Sequence, residues 1–101
     1  MEFITAEELK KKQDEFLILD IRDASTFSHS HIDGSINIDV YGSIHNGGYE
    51  TVREKLSELP KGKTVITVCN AGVTAQPASL ILESMGYKTK VLEDGMIGWK
   101  D

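Results

Sequence analysis

One cysteine, two prolines and one tryptophan in 101 residues exclude several kinds of protein at once. A lone thiol closes no internal disulfide and cannot build a cysteine-rich zinc site, so Cys69 is either a small buried hydrophobe or a reagent. No apolar run approaches the roughly 20 residues that span a bilayer. Basic residues are outnumbered 11 to 16 by acidic ones, for a formal net charge of −5, with no basic stripe and no interleaving of aromatic and basic residues. That balance argues against nucleic acid or an anionic membrane as the main partner. The opening MEFITAEELKKK carries acids where a secretory leader would carry basic residues and an apolar stretch, so the expected compartment is the cytoplasm. The histidines at 29, 31 and 45 have no second cysteine to complete a metal site, and His29 and His31, two residues apart, share no helical face.

The chain that remains is 40% hydrophobic and 27% charged, the balance of a folded domain. No repeat, low-complexity tract or Pro/Gly-rich linker interrupts it, so residues 1–101 are expected to form a single domain. Thr5-Ala6-Glu7-Glu8 reads as a capping box opening a helix. Phe16-Leu17-Ile18-Leu19 reads as a short buried strand ending at Asp20. Asp23 to Ser30 suggests a short helix or helical turn packed through Phe27, and Ser35-Ile36-Asn37-Ile38 a second strand. Residues 42–49, with three glycines and an asparagine, read as a loop of unassigned role. Val52, Leu56 and Leu59 fall at helical spacing before Pro60 and Gly62. Thr64-Val65-Ile66-Thr67-Val68, rich in branched side chains, is the clearest strand. Ala78, Ile81, Leu82 and Met85 make one face of a helix that Gly86 closes. Lys88–Leu92 is a last strand, followed by a helical turn at Met96–Trp99.

Apolar strands alternating with helices imply a parallel sheet covered on both faces. In such sheets the reactive crevice lies beyond the carboxyl ends of the strands, and Cys69 directly follows the best strand. From Cys69 to Ala75 the chain links strand to helix through small residues, Asn70, Ala71, Gly72, Val73 and Thr74 among them. Gly72 opens backbone torsions closed to other residues. Small side chains let successive amides converge on a central group, and the helix start adds its unpaired N–H donors. A sulfur anion held there is stabilised by hydrogen bonds without a charged neighbour. From these residues alone, a buried structural thiol and a nucleophile both stand.

Four segments together resemble the rhodanese family over nearly the whole length. Leu19-Asp20-Ile21-Arg22-Asp23 is similar to its aspartate–arginine strand end. Phe27 and His31-Ile32-Asp33-Gly34-Ser35-Ile36-Asn37-Ile38 resemble its aromatic and His-Ile-x-Gly-Ala-x-Asn signature. Val68 to Ala75 resembles its active loop, with Cys69 in the nucleophile's place. Leu92-Glu93-Asp94-Gly95-Met96-Ile97-Gly98-Trp99 looks like its closing Gly-Gly-x-x-x-Trp segment, with Met96 in place of the second glycine. The resemblance implies an α/β, rhodanese-like three-layer sandwich: a five-stranded parallel sheet with helices on both faces. It also implies a sulfurtransferase without metal or organic cofactor. Sulfane sulfur would pass from a small donor or a persulfide-bearing protein to Cys69, then to an acceptor thiol or cyanide. On this resemblance the loop 70–75 binds substrate, and Asp20 and Arg22 support the site structurally, the alternative for that pair being a solvated surface contact. His31 and Gly34 build the fold, and Trp99 plugs the core. The loop departs from many relatives in carrying no arginine or lysine; Thr74 stands where arginine is frequent.

Three other functions compete. Cell-cycle dual-specificity phosphatases, which rhodanese-like domains resemble, need an arginine six residues after the cysteine to clamp phosphate, and here that residue is Ala75. A non-catalytic rhodanese-like binding or regulatory module is the alternative that the uncharged loop leaves open. A thiol-oxidation sensor would use the same cysteine, but this chain holds no resolving partner for it.

Overall fold

All five residues of Thr64–Val68 are β-branched, and the chain forms a strand there that becomes the centre of the sheet. The computed structural model describes residues 1–99. Its five strands are β1 (Phe3–Ile4), β2 (Phe16–Asp20), β3 (Ile36–Asn37), β4 (Thr64–Val68) and β5 (Thr89–Leu92), in the order β1-β5-β4-β2-β3 and parallel throughout. The helices are α1 (Ala6–Lys12), α2 (Ala24–His29), α3 (Tyr41–His45), α4 (Tyr49–Leu56) and α5 (Ala75–Ser84), with 3₁₀ turns at Gln13–Glu15 and Gly95–Gly98.

Successive strand residues point to opposite faces, so uninterrupted apolar strands feed two cores. Leu19, Val65 and Val91 pack on one face with Ile44, Val52, Leu56, Ala78 and Leu82. Ile18, Ile66, Val68 and Leu92 pack on the other with Ile4 and Leu9, and with Trp99 half-buried against them. This is the expected three-layer arrangement. In register, Asp20 lies beside Val68, and the Ile21 amide donates to the Val68 carbonyl at 3.0 Å. The carboxyl ends of β2 and β4 therefore finish side by side.

Helix starts follow local chemistry. Thr5 and Glu8 form the reciprocal capping box, and hydrogen bonds from the Thr5 amide and hydroxyl hold the Glu8 carboxyl below its usual range. Asp23 caps α2 by accepting from the Thr26 amide at 2.8 Å, and that bond holds its carboxyl below its usual range too.

One expectation needs correction, and one strand was not foreseen. Residues 42–49 are not a loop: they hold most of α3, a turn at Asn46–Gly48 and the start of α4. Ile44 buries its side chain in the core and donates its amide to the Val40 carbonyl, so one anchored apolar residue overrides the glycines on either side. The strand at Phe3–Ile4 had no signal, because two residues carry no periodicity; pairing with Val91 and Leu92 makes it.

Candidate functional site

Cys69 follows the last residue of β4, and α5 begins at Ala75. Its thiol is 2% exposed and belongs to the core cluster beneath α4 and α5. Two backbone amides point at the sulfur: Gly72 N–H donates to Sγ at 3.2 Å and Ala75 N–H at 3.3 Å. Gly72 reaches that position with φ at +84°, which L side chains rarely adopt. A Cβ there would also press on the Asp94 amide and the Leu92 carbonyl.

The loop is clamped from outside. The Met96 and Ile97 amides, in the Gly95–Gly98 turn, donate to the carbonyls of Cys69 and Asn70 at 2.9 Å each. Gly95 lies so close that an added Cβ would sit 2.4 Å from the Cys69 carbonyl oxygen. From inside, the Thr67 hydroxyl donates to the Ala75 carbonyl at 3.0 Å, and Gln76 Nε2 donates to the Gly72 carbonyl at 2.8 Å. Carbonyls are thus drawn to neighbours while two amides face the sulfur.

Asn70, Ala71, Val73 and Thr74 line a cavity of about 110 Å³ with Cys69 and Tyr41. The six loop residues singled out in the sequence therefore come together, two as donors to sulfur and four as walls. Larger hollows of about 400 and 430 Å³ lie by Gln13, Asp33 and Lys63 and by Glu2, Glu83 and Lys88, away from the thiol.

Asp20 and Arg22 are not a solvated pair. Their side chains are 1% and 5% exposed, with Nη2 2.7 Å from Oδ2 and Nε 3.0 Å from Oδ1. Arg22 Nη2 donates also to the Ser30 carbonyl, and Asn37 Nδ2 donates to the carbonyls of Asp20 and Arg22. The guanidinium is spent on joining the end of β2 to the segment after α2, so it supplies no charge to the cavity. His31 is exposed, stacks on Phe27 at 3.9 Å and bonds the Phe27 carbonyl through Nδ1, a contact within the fold.

Two residues escaped sequence reasoning. Tyr41 lines the cavity, and His45 Nε2 lies 3.1 Å from Thr74 Oγ1. Both ride on α3, one turn apart, with rings 4.4 Å from each other. Their i, i+4 spacing was the available signal, hidden by the glycines around it.

A strand-end cysteine on backbone amides within a five-stranded parallel sheet defines a class of protein, and comparison places the chain in it. Residues 5–101 match the rhodanese-like domain, and the chain belongs to that family. A rhodanese-like domain protein of Staphylococcus aureus superposes with a TM-score of 0.81 at 27% identity, covering 100% of this chain and 93% of that one. The thiosulfate sulfurtransferase GlpE of Shewanella oneidensis is 26% identical over 85 residues, 83% of this chain and 75% of that protein. An HTH-type transcriptional regulator of Mycobacterium tuberculosis is 28% identical over 101 residues, 96% of this chain but only 41% of the regulator. Among the described residues no helix is long and apolar enough to cross a membrane.

Proposed function

We propose that this protein is a sulfurtransferase that carries sulfane sulfur as a persulfide on Cys69. One observation carries the reading: two backbone amides converge on Sγ at 3.2 and 3.3 Å in a loop between a parallel strand and a helix. Backbone donors aimed at sulfur stabilise an anion there and need no reorganisation when charge develops. The Shewanella relative named as a thiosulfate sulfurtransferase supports the same chemistry.

The reaction runs in two displacements. The Cys69 thiolate attacks the terminal sulfane sulfur of the donor and forms a new S–S bond. The donor's own S–S bond breaks, and its electron pair leaves with the departing group, sulfite from thiosulfate or a thiolate from a protein persulfide. An acceptor thiolate or cyanide then attacks the terminal sulfur, and Cys69 departs as the thiolate. Each step trades one bond to sulfur for another with no external oxidant. At about 110 Å³ the cavity offers room for a few small groups, counted at roughly 30 Å³ per water. It suits a terminal sulfur rather than an organic cofactor.

Arg22 is buried against Asp20, Arg53 pairs with Glu50 and Lys55 donates to the Asp39 carbonyl. On a chain of net charge −5, a neutral or protein-bound persulfide fits the uncharged loop better than a thiosulfate dianion. A cytoplasmic setting, which keeps thiols reduced, suits a lone catalytic cysteine. The test is intact-mass analysis after exposure to thiosulfate and, separately, to a persulfide-bearing protein. One added sulfur atom, removed by cyanide or dithiothreitol and missing in Cys69→Ser, is the expected result. A gain that survives in the serine variant, or none from either donor, overturns the assignment and returns the domain to a binding role.

A further inference from the structure

Thr74 stands at the start of α5, yet its hydroxyl caps nothing on that helix. It is 7% exposed, lines the cavity over Cys69, and meets His45 Nε2 at 3.1 Å. The neighbouring residue, Ala75, gives its amide to the sulfur. A threonine hydroxyl has a single proton to donate. When His45 is neutral with its proton on Nδ1, Nε2 accepts that proton and the hydroxyl offers the cavity only lone pairs. When the imidazole is protonated, Nε2–H donates to Oγ1 and the hydroxyl proton is released for another acceptor.

We propose that His45 is a positioning residue: through Thr74 Oγ1 it sets whether the cavity presents a hydroxyl donor to an anion beside Cys69, and so favours anionic sulfur donors as it gains a proton. The inference rests on the sulfurtransferase reading for its biological meaning, but not for its test. It also gives α3 a role, since this helix brings Tyr41 to the cavity wall and His45 to the Thr74 hydroxyl.

Other ionisable groups lie on the elements around His45. Tyr41 lies against it from its own helix, the two rings tilted by 47°, and Cys69 lines the same cavity as Thr74. On α4, which packs against α3, Arg53 is bound to Glu50 at 2.9 Å and Lys55 to the Asp39 carbonyl at 3.0 Å, leaving Tyr49 and Glu54. On α5 the acidic residue is Glu83, near the far end of the helix and bonded to Thr89.

The experiment compares alkylation of Cys69 by iodoacetate, an anion, with alkylation by neutral iodoacetamide between pH 8 and pH 5.5. The ratio of the two rates cancels the thiolate fraction and reports only the preference for negative charge. In the wild type the ratio should rise about tenfold as pH falls, the worth of one hydrogen bond to a charged group. His45→Gln should flatten it, and Thr74→Val should remove most of the rise while leaving the imidazole in place. A flat wild-type profile overturns the inference. So does a Thr74→Val variant that keeps the full rise, because charge alone would then account for it. Sulfur loading measured on the same preparations separates the two readings. A rising ratio without loading removes the sulfurtransferase assignment and supports the positioning role, whereas loading with a flat ratio does the reverse.

Discussion

Gly95→Ala tests whether the Cys69 loop is held in shape by the segment that closes the fold. Gly95 has φ at +55°, and a Cβ would sit 2.4 Å from the Cys69 carbonyl oxygen and 2.7 Å from the Asn70 carbonyl carbon and oxygen. These are backbone atoms, so no side chain can swing away; ordinary contact requires a shift of about 1 Å between the two segments. The left-handed torsion costs an alanine about 1–2 kcal/mol. The shift also strains the Met96–Cys69 and Ile97–Asn70 hydrogen bonds, each 2.9 Å long and worth about 1 kcal/mol. Together these give a loss of about 2–4 kcal/mol, a large share of the 5–15 kcal/mol typical of a domain.

Function should fall further than stability. A displacement of about 1 Å at a reacting group can slow a reaction about a hundredfold, and Gly95 bears on the residue that holds the thiol. Urea unfolding measures the first effect, and the rate of sulfur loading at a temperature where the variant stays folded measures the second. Gly42→Ala is the control: a Cβ there meets nothing within 4 Å, and the residue lies in α3, so alanine should be neutral or stabilise by about 0.5–1 kcal/mol. If Gly95→Ala unfolds within about 0.5 kcal/mol of wild type and loads sulfur at the same rate, the clamp has no role in the geometry of the thiol.

Asp20→Ala should destabilise by about 3–5 kcal/mol in urea unfolding, because it strands a buried guanidinium; replacing both partners with apolar residues of similar size should recover most of that loss. Asp23 and Glu8 have carboxyl groups held below their usual ranges by capping bonds. Their stabilisation is full above the unfolded-state value and is lost as pH falls through the folded one. Asp23→Asn keeps a capping oxygen without a titrating group, so it should reduce the acid dependence of the urea midpoint while barely moving it at neutral pH. Val73, 69% exposed and lining the Cys69 cavity, is the place for an added cation. A charge about 5 Å from an anionic donor contributes roughly 3 kcal/mol at an effective dielectric of 20, of which about a third survives solvent. Val73→Arg should therefore lower the KM for thiosulfate about tenfold or somewhat less, an advantage that raised ionic strength erodes; an unchanged KM at low salt would refute the claim that the missing cation weakens thiosulfate binding.

What could be read from the sequence divides by the range of the interactions involved. The strand Thr64–Val68 and the helix carrying Ala78, Ile81 and Leu82 announce themselves, because branching and periodicity are properties of neighbours along the chain. The capping box at Thr5 and Glu8 is local in the same way. Strand β1 is not, since two residues become a strand only by pairing with Val91 and Leu92 near the other end of the chain. Helix α3 was hidden because composition outvoted one buried isoleucine. The grouping of Cys69 with Asn70 to Ala75 was legible because those residues are consecutive. The His45–Thr74 contact spans 29 positions and depends on how α3 sits across the loop, which no local pattern records.

That contact also resolves an apparent contradiction in the chemistry. A site proposed to handle anionic sulfur sits on an acidic chain, in a loop with no basic residue. Arg22 is bound to Asp20, Arg53 to Glu50 and Lys55 to the Asp39 carbonyl. What faces the sulfur is a set of dipoles: the Gly72 and Ala75 amides, with the Thr74 hydroxyl on the cavity wall. Fixed dipoles act over a few ångströms, whereas a full charge attracts from much farther, so this site stabilises an anion already bound far better than it draws one from solution. Such an arrangement favours a donor delivered by contact between proteins, where the partner's own binding surface supplies the approach. It also leaves His45, through Thr74, able to change what the site offers a small anion. A sulfur donor carried by a protein should then load Cys69 at a rate that changes little with ionic strength or with His45→Gln, while thiosulfate loading should respond to both; equal sensitivity of the two donors would show that long-range charge governs this site after all.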